Sequence, residues 1–367
     1  MKIAMIGHKR IPSREGGVEI VVEQLSTRMV KKNHSVDAYN RSSKNVDKIK
    51  DFKGVKIINV PTVDKKSLNA LIYSFLATIK AVFNKYDVIH YHALGPSVML
   101  LIPHIFGIKT VATVHGLDWQ RSKWGGFATK YLMLGEKIIA KYADEVIVLS
   151  ENVQKYFKDT YNRDTTYIQN GVDIPTHVSP DIIKSKYGLN GDDYVLYLGR
   201  IVPEKGVHYL LEAFKNIDTD KKLVISGGSS HTDEYYEKIA GMAKQDSRVV
   251  MTGFVQGQLL EELFSNCSLY ILPSDIEGMP ISLLEAMSYG KKCLVSDIKE
   301  NVEVIKDMGV SFRKSDVGDL TSKLDEILNE DNFDLDSENL VEYIKKNFSW
   351  DEVVDKTLEI YVKLEEK

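Results

Sequence analysis

The chain has 367 residues and a formal net charge of −4, and its 43% hydrophobic and 27% charged residues are typical of a globular protein. This composition excludes a disordered chain, a collagen and a coiled coil, and two cysteines are too few for a disulfide framework or a cysteine-built zinc site. The N-terminal residues are typical of a strand rather than a secretory signal, and no apolar stretch suits a transmembrane helix, so we expect a cytoplasmic protein.

Short apolar runs alternate with helical patterns along the chain. In the first half they predict strands at Lys2–Ile6, Ser35–Tyr39, Val55–Asn59, Val88–His92, Thr110–Val114 and Glu145–Val148. In the second half they predict strands at Tyr194–Leu198, Lys222–Ser226, Val249–Thr252, Leu269–Leu272 and Lys292–Val295. Helical patterns such as Val18–Lys32 and Phe127–Tyr142 lie between them. This alternation predicts βαβ units and parallel sheets.

The two series of strands indicate two domains. We expect an N-terminal Rossmann-like domain at residues 1–178, a C-terminal Rossmann-like domain at 179–348, and a final helix at 349–367 with Ser349 as its N-cap. The turn-rich segment at 170–175 precedes the first boundary. Two doubly wound α/β domains in tandem predict a ligand cleft between them, at the carboxyl ends of the strands.

Charge is distributed unevenly between the halves. Residues 1–175 carry a net charge of +10 and residues 176–367 carry −14. A basic N-terminal half favours a polyanion, an anionic bilayer or a pyrophosphate-bearing ligand, with ordinary drift of surface charge as the alternative. No dense stripe of lysine and arginine is present, so we expect no nucleic-acid partner.

Three strands are followed by residues suited to binding an anion. Gly16 and Gly17 precede a helix, although such a pair is also a common turn, and the spacing is not that of a nicotinamide-binding loop. Arg200 and Lys205 follow the first strand of the second domain, where guanidinium and ammonium groups can hold phosphate oxygens. Gly227-Gly228 either brings backbone close to a nucleotide or only turns the chain.

The segment Glu277-Gly278-Met279-Pro280-Ile281-Ser282-Leu283-Leu284-Glu285 carries the sharpest pattern. Pro280 suits the first position of a helix, whose N-terminal N–H groups can hold a diphosphate. Glu277, before the helix, can accept hydrogen bonds from sugar hydroxyls, and Glu285, inside it, can bind a ribose diol. The alternative is a pair of exposed surface acids.

These motifs resemble those of retaining glycosyltransferases of family 4, the group 1 family, which have the GT-B fold of two Rossmann-like domains with a cleft between them. The correspondence extends over nearly the whole chain. The matching residues are Gly16 and Gly17, His115 in Thr113-Val114-His115-Gly116, Arg200 and Lys205, Glu277 and Glu285 with E-x7-E spacing, and Ser349-Trp350-Asp351 at the last helix.

Two further segments resemble a narrower bacterial subgroup that includes polysaccharide rhamnosyltransferases. They are Arg10–Glu19 and Trp119–Trp124. In one respect the sequence departs from the family, because it reads Glu-Gly-Met-Pro where many members have Glu-Gly-Phe-Gly-Leu-Pro. Sugar contacts at this loop can therefore differ from the family average.

The resemblance implies an activity and a division of roles. The N-terminal domain would bind the acceptor, the C-terminal domain would bind a nucleoside-diphosphate sugar, and the last helix would cross back to the N-terminal domain. Arg200 and Lys205 would neutralise the departing diphosphate, His115 would stabilise developing charge or fix a sugar hydroxyl, and no enzyme nucleophile is required. The donor-side residues are Gly16, Gly17, Gly199, Arg200, Lys205, Gly227, Glu277, Gly278, Met279, Pro280, Ile281, Ser282 and Glu285, and the catalytic set is His115, Glu277, Arg200 and Lys205.

Two histidines share one face of the predicted strand Val88–His92. We interpret His92 as an acceptor-side candidate and His90 as structural, since a metal pair finds no third ligand at a sensible spacing. Asp118 is a second acceptor-side candidate. Asp218-Thr219-Asp220 has the letters of a metal-binding D-x-D motif but precedes its strand, at the wrong end of the sheet, so we expect no essential metal and no further cofactor.

A cluster of tryptophans and cations follows the His115 strand: Trp119, Arg121, Lys123, Trp124 and Lys130. It suits either the inner surface of a membrane, with a lipid-linked saccharide acceptor for a capsule or exopolysaccharide, or an ordinary packed segment. A nucleotide-sugar epimerase or hydrolase of the same fold, and a non-catalytic nucleotide-sugar-binding subunit, are the alternatives to a transferase.

Overall fold

A computed structural model describes residues 1–43, 48–63, 66–120, 125–229, 232–329 and 336–366. Its chain contacts define two units, with Met1–Gly171 and Trp350–Lys367 in unit 1 and Val172–Ser349 in unit 2.

Unit 1 is built on an eight-stranded sheet with helices following its strands. Its strands are β1 (Lys2–Ile6), β2 (Ser35–Ser42), β3 (Asp51–Phe52), β4 (Val55–Pro61), β5 (Val88–His92), β6 (Lys109–Val114), β7 (Glu145–Val148) and β8 (Thr166–Tyr167). Its first five α-helices are α1 (Gly17–Lys31), α2 (Lys66–Val82), α3 (Leu101–Ile105), α4 (Phe127–Tyr142) and α5 (Glu151–Tyr161), and short 3₁₀ helices span Pro96–Leu100 and Asp118–Gln120. The strand order is β3-β4-β2-β1-β5-β6-β7-β8, parallel except for the β3–β4 pair.

Unit 2 is built on a six-stranded parallel sheet in the order β11-β10-β9-β12-β13-β14. Its strands are β9 (Tyr194–Leu198), β10 (Lys222–Ser226), β11 (Val249–Gly253), β12 (Leu269–Leu272), β13 (Lys292–Ser296) and β14 (Val310–Phe312). Its helices are α6 (Asp181–Tyr187), α7 (Val207–Phe214), α8 (Asp233–Ala243), α9 (Gln258–Asn266), α10 (Ile281–Ser288), α11 (Lys299–Ile305), α12 (Val317–Asn329) and α13 (Ser337–Asn347), with a 3₁₀ helix at Pro203–Lys205.

The last helix, α14 (Trp350–Glu365), belongs to unit 1. Arg28 of α1 pairs with Asp351 at 3.1 Å, and Lys32, just after α1, pairs with Asp355 at 2.5 Å. On the inner side of α14, the buried Tyr361 hydroxyl lies 2.6 Å from Nδ1 of His90 on β5. Apolar burial and two ion pairs therefore hold the chain terminus against the unit that opens the sequence.

The expected domain boundary at 178/179 lies seven residues after the division between the two units, which falls at 171/172. Residues 172–178 are bonded to unit 2: the Val172 N–H donates to the Phe348 carbonyl at 2.8 Å, and the Val178 N–H donates to Ser265 Oγ at 3.1 Å. Ser349 also lies in unit 2, where it forms a β-bridge with Val172, and the terminal helix begins one residue later.

Strand positions follow from burial on both faces, which produces continuous apolar runs. All eleven predicted strands are present, and β1, β5, β7, β9, β10 and β12 have the predicted bounds. In β9, Tyr194 and Leu196 pack into one core of unit 2, whereas Val195 and Tyr197 pack into the other, as the two-residue period of a strand requires. Sequence reasoning missed β3, β8 and β14, which are too short to show a periodic pattern.

Candidate functional site

Three strands of unit 2 end at one edge of its parallel sheet and carry the predicted donor-side residues. Gly227, after β10, has φ +151°, and a Cβ there would lie 1.8 Å from the Gly199 carbonyl oxygen after β9. The N–H of Gly199 donates to Ser226 at 3.0 Å. A glycine is therefore required at position 227, because the ends of two strands approach each other closely there. The sequence alone had left open whether this glycine serves nucleotide binding or a turn.

Lys205 and Glu277 form an ion pair at this edge, and their side chains are only 15% and 7% exposed. Lys205 ends a 3₁₀ helix after β9 and Glu277 lies between β12 and α10, so strand ends bring together residues 72 positions apart. Gly206 permits this placement because a Cβ at its φ of +68° would lie 2.0 Å from the Pro273 carbonyl oxygen. When a ligand is present, the lysine of such a buried ion pair can bind an anion, and the carboxylate can accept hydrogen bonds from sugar hydroxyls.

Helix α10 begins at Ile281, and Pro280 is its N-cap residue rather than its first helical residue as predicted. Ser282, in the first turn, accepts a hydrogen bond at 2.8 Å from the hydroxyl of Tyr270, a residue of β12. Burial raises the pKa of Tyr270 well above its usual value, so this hydroxyl remains a neutral donor. Tyr270 thus fixes the start of α10. The sequence gives no sign of this role, because Tyr270 is one residue of an apolar strand.

The remaining donor-side predictions occupy the same edge with different exposure. Gly278 is buried, whereas Arg200, Met279 and Glu285 are half-buried. The backbone of Arg200 is fixed because its carbonyl accepts from the Tyr197 hydroxyl at 2.9 Å. The structure therefore brings together Gly199, Arg200, Lys205, Gly227, Glu277 and the start of α10 within unit 2.

Asp275 supports this edge and was missed by sequence reasoning. Its N–H donates to the Glu204 carbonyl at 2.9 Å, and its carboxylate accepts from the hydroxyls of Tyr209 at 3.1 Å and Ser315 at 2.7 Å. It joins the loops after β9, β12 and β14. The only sequence signal was its position after a strand, between Ser274 and Glu277.

Gly16 and Gly17 lie in unit 1, at the start of α1. Gly16 is the N-cap residue, and the buried Glu19 carboxylate reaches back so that a Cβ on Gly16 would lie 2.7 Å from Glu19 Oε2. The other oxygen of Glu19 accepts from the Lys9 N–H at 2.8 Å. A carboxylate of the protein itself therefore stands at the positive end of this helix.

His90, His92 and His115 form a buried row on the face of the unit 1 sheet that α14 covers. His90 is fully buried, with Nδ1 2.6 Å from the Tyr361 hydroxyl and Nε2 2.7 Å from Thr113 Oγ1, which accounts for it as a structural residue. Nδ1 of His92 lies 3.1 Å from Nε2 of His115. His92 is also fully buried, so it lies behind His115, which is 8% exposed, rather than on the surface where an acceptor would touch it.

The residues of the predicted tryptophan and cation cluster differ in their surroundings. The half-buried Trp119 donates its indole N–H to Glu136 at 2.7 Å, and Glu136 also accepts from Tyr156 and Tyr161, so this tryptophan is a packed residue. Arg121, Lys123 and Trp124 lie outside the described residues. Asp118 is half-buried at the start of a 3₁₀ helix, and Lys130 is exposed on α4.

The D-x-D letters at Asp218–Asp220 lie before β10, at the opposite end of the strand from Gly227. Their loop is tied by Arg248, which donates to the Thr219 carbonyl at 3.2 Å, and by Asn329, which donates to the Asp218 carbonyl at 3.1 Å. Within the described ranges, no group of three histidine, cysteine or acidic side chains is placed to hold a metal ion.

Two units, each with a doubly wound sheet of parallel strands, are the architecture of the GT-B fold. Sucrose-phosphate synthase from Thermosynechococcus elongatus shares this fold with a TM-score of 0.86 at 22% identity, covering 99% of this chain and 98% of that one. Residues 15–175 match the family described as Glycosyltransferase Family 4, and residues 180–347 match Glycosyl transferases group 1. The chain therefore belongs to the glycosyltransferases that combine these two domains.

Curated relatives match over most of their length. An uncharacterised glycosyltransferase of Methanocaldococcus jannaschii is 26% identical over 98% of both chains. An Escherichia coli enzyme named UDP-Gal:alpha-D-GlcNAc-diphosphoundecaprenol alpha-1,3-galactosyltransferase is 27% identical over 84% of both chains.

Proposed function

We propose that this chain is a retaining glycosyltransferase that moves a sugar from a nucleoside-diphosphate sugar to a lipid-linked saccharide in the synthesis of a bacterial surface polysaccharide. The observation that carries the proposal is the buried Lys205–Glu277 pair beside the start of α10, at the carboxyl edge of the unit 2 sheet. A cation at this position can stabilise a departing diphosphate, and a carboxylate there can accept hydrogen bonds from sugar hydroxyls.

The proposed donor site lies in unit 2. Arg200, Lys205 and the N-terminal N–H groups of α10 would hold the diphosphate, because each presents positive charge or hydrogen-bond donors. Glu277 would bind hydroxyls of the transferred sugar, and Glu285 would bind the ribose diol. The bond from the anomeric carbon to the diphosphate oxygen breaks, the acceptor oxygen bonds to that carbon, and the acceptor proton leaves with the nucleotide.

His115 is the residue that we assign to the reaction from unit 1. It directly follows β6, which ends at Val114, and it is only slightly exposed. We propose that its imidazole donates a hydrogen bond to a substrate oxygen, and that attack occurs on the same face from which the nucleotide leaves. No covalent enzyme intermediate is required for that course, and retention of anomeric configuration follows from it.

The proposed lipid-linked acceptor agrees in chemistry with the name of the E. coli relative, which specifies a diphosphoundecaprenol. No helix in the described ranges has the length and the apolar composition that crossing a bilayer requires. We propose peripheral contact through the outer face of α4, because it presents Phe127, Met133 and Leu134 at 83%, 36% and 47% exposure.

Lysines complete this face of α4. Lys130, Lys137 and Lys141 are exposed on it, while the helix's acidic residue, Glu136, is buried and bonded to aromatic side chains. Apolar groups between lysines on one helical face suit the surface of an anionic bilayer. A F127S/K130E variant should lose most binding to anionic vesicles, whereas V302S, at an exposed apolar position of unit 2, should bind as the parent does. Equal binding by the three proteins would contradict this contact.

The reaction is tested by nucleotide release from a panel of UDP-, dTDP- and GDP-sugars, with and without a membrane extract as acceptor and with and without EDTA. We expect release from one donor that requires the extract and is unaffected by EDTA. Lys205→Ala should lower the rate by roughly 100-fold or more, while Lys215→Ala, an exposed lysine after α7, should leave it unchanged. Release that needs no acceptor would contradict transfer and favour a hydrolase or an epimerase.

A further inference from the structure

The histidine row of unit 1 contains two side chains that the proposed reaction does not use, the structural His90 and His92. His92 stacks on His90 with ring centroids 4.2 Å apart and lies 5.3 Å from the ring of His115. Its backbone is enclosed as well, since a Cβ on Gly7, the residue after β1, would lie 2.1 Å from the His92 carbonyl oxygen. His92 is therefore held between β1, His90 and His115.

The base of the row is fixed. Both nitrogens of His90 are bonded, to Tyr361 of α14 and to Thr113 of β6. Because His92 stacks on this anchored ring, rotation of its imidazole is restricted. The Nδ1–Nε2 contact of 3.1 Å with His115 is then a directed hydrogen bond rather than a chance proximity.

A hydrogen bond between two imidazoles needs one donor and one acceptor. Burial lowers the pKa of His92 well below its usual value, with the neighbouring histidines adding to the effect, so His92 is neutral and carries one proton. Among the described residues, Nε2 of His92 is buried and has no hydrogen-bond partner. A proton on Nε2 would leave a buried N–H unsatisfied, which proteins rarely tolerate, whereas a proton on Nδ1 is used by His115.

We propose that His92 is a positioning residue, which donates from Nδ1 to Nε2 of His115 and thereby holds His115 in its Nδ1–H tautomer. The donor that His115 offers to a substrate oxygen is then its Nδ1–H group. This last step rests on the proposed function, whereas the tautomer itself does not depend on any reaction.

The tautomer is measured directly on the full chain labelled with ¹⁵N-histidine, by two-bond ¹H–¹⁵N correlation at pH 7.5, with a His115→Gln variant to assign the signals. We expect the Nδ1–H pattern for His115 in the parent protein. The Nε2–H pattern in the parent would overturn the proposal, and this result needs no variant of His92.

Two substitutions then test whether His92 is the cause. His92→Phe keeps the ring volume but removes the donor, so the Nδ1–H pattern of His115 should be lost and kcat should fall by roughly 10–100-fold with KM little changed. His92→Asn places an amide near the Nδ1 position and should restore both. His104→Asn, at an exposed histidine within α3, should change neither the tautomer of His115 nor kcat. An unchanged His115 tautomer in His92→Phe would overturn the proposal.

The outcomes separate this inference from the proposed function. If the tautomer depends on His92 as expected and the parent protein transfers no sugar, the positioning contact stands and the assigned reaction fails. If transfer occurs and His115 has the Nε2–H tautomer, the reaction stands and the positioning contact fails.

Discussion

The Lys205–Glu277 pair can be tested as a binding element against a purely structural alternative by replacing each residue alone and both together. Lys205→Met or Glu277→Leu leaves one charge in a site where the side chains are 15% and 7% exposed. Removing one partner of a buried pair costs about 3–5 kcal/mol, whereas replacing both by apolar side chains of similar volume is often close to neutral. Each single variant should therefore be destabilised by about 3–5 kcal/mol, and the double variant by much less.

Activity should not follow stability in this cycle. If the charges bind the diphosphate and the sugar, all three variants lose roughly 100-fold or more in kcat/KM, because the double variant regains packing but no charge. Urea unfolding and initial rates of nucleotide release measure the two quantities, with K215M and E212L at exposed positions of unit 2 as matched controls. A double variant that recovers both stability and activity would refute the binding role.

Three further predictions concern a glycine in unit 2, two buried histidines of unit 1 and the configuration of the product. Gly227→Ala should destabilise unit 2 by at least about 2 kcal/mol in urea unfolding, because the φ of Gly227 is +151° and an added Cβ would meet backbone atoms. The control Gly241→Ala, in open space on α8, should instead stabilise the protein by about 0.5–1 kcal/mol. Equal effects of the two substitutions on stability would contradict the close approach at Gly227. Burial lowers the pKa of His8 to about 4 and that of His90 to about 3. Since the unfolded chain binds these protons first, stability should be complete above pH 6.5 and fall below it, by about 1.4 kcal/mol per histidine per pH unit down to the folded pKa; urea unfolding that gives the same free energy at pH 7.5 and pH 5.5 would contradict this. The anomeric proton of the product, observed by NMR, should show the same configuration as the donor, and inversion would contradict same-face attack.

Much of the fold could be predicted because the strands of parallel sheets are buried on both faces and appear as apolar runs. Loop glycines, cations and acids that follow such runs could then be assigned to one edge, as Gly227, Lys205 and Glu277 illustrate. The boundary at 171/172 could not be predicted from the sequence. The hydrogen bonds that assign residues 172–178 to unit 2 are made with Phe348 and Ser265, which are far along the chain.

The parts of the site that sequence reasoning missed depend on single distant partners. Tyr361 lies 271 residues from His90, and nothing in an amphipathic terminal helix distinguishes a tyrosine that bonds a histidine from one that only packs. Trp119 was a candidate for a membrane surface because it has cations nearby in sequence, but its indole N–H is bonded to Glu136. The sequence also did not indicate that Glu136 is buried, since an acidic residue in a helix is usually exposed.

A mass balance measures the transfer of a sugar without any assumption about the site. The protein is incubated with a radiolabelled nucleoside-diphosphate sugar and a membrane extract, and the free nucleotide and the label in the lipid fraction are both counted. We expect one sugar in the lipid-linked saccharide for each nucleotide released. Nucleotide release with the label recovered as free sugar, or label remaining in a converted nucleotide sugar, would contradict it.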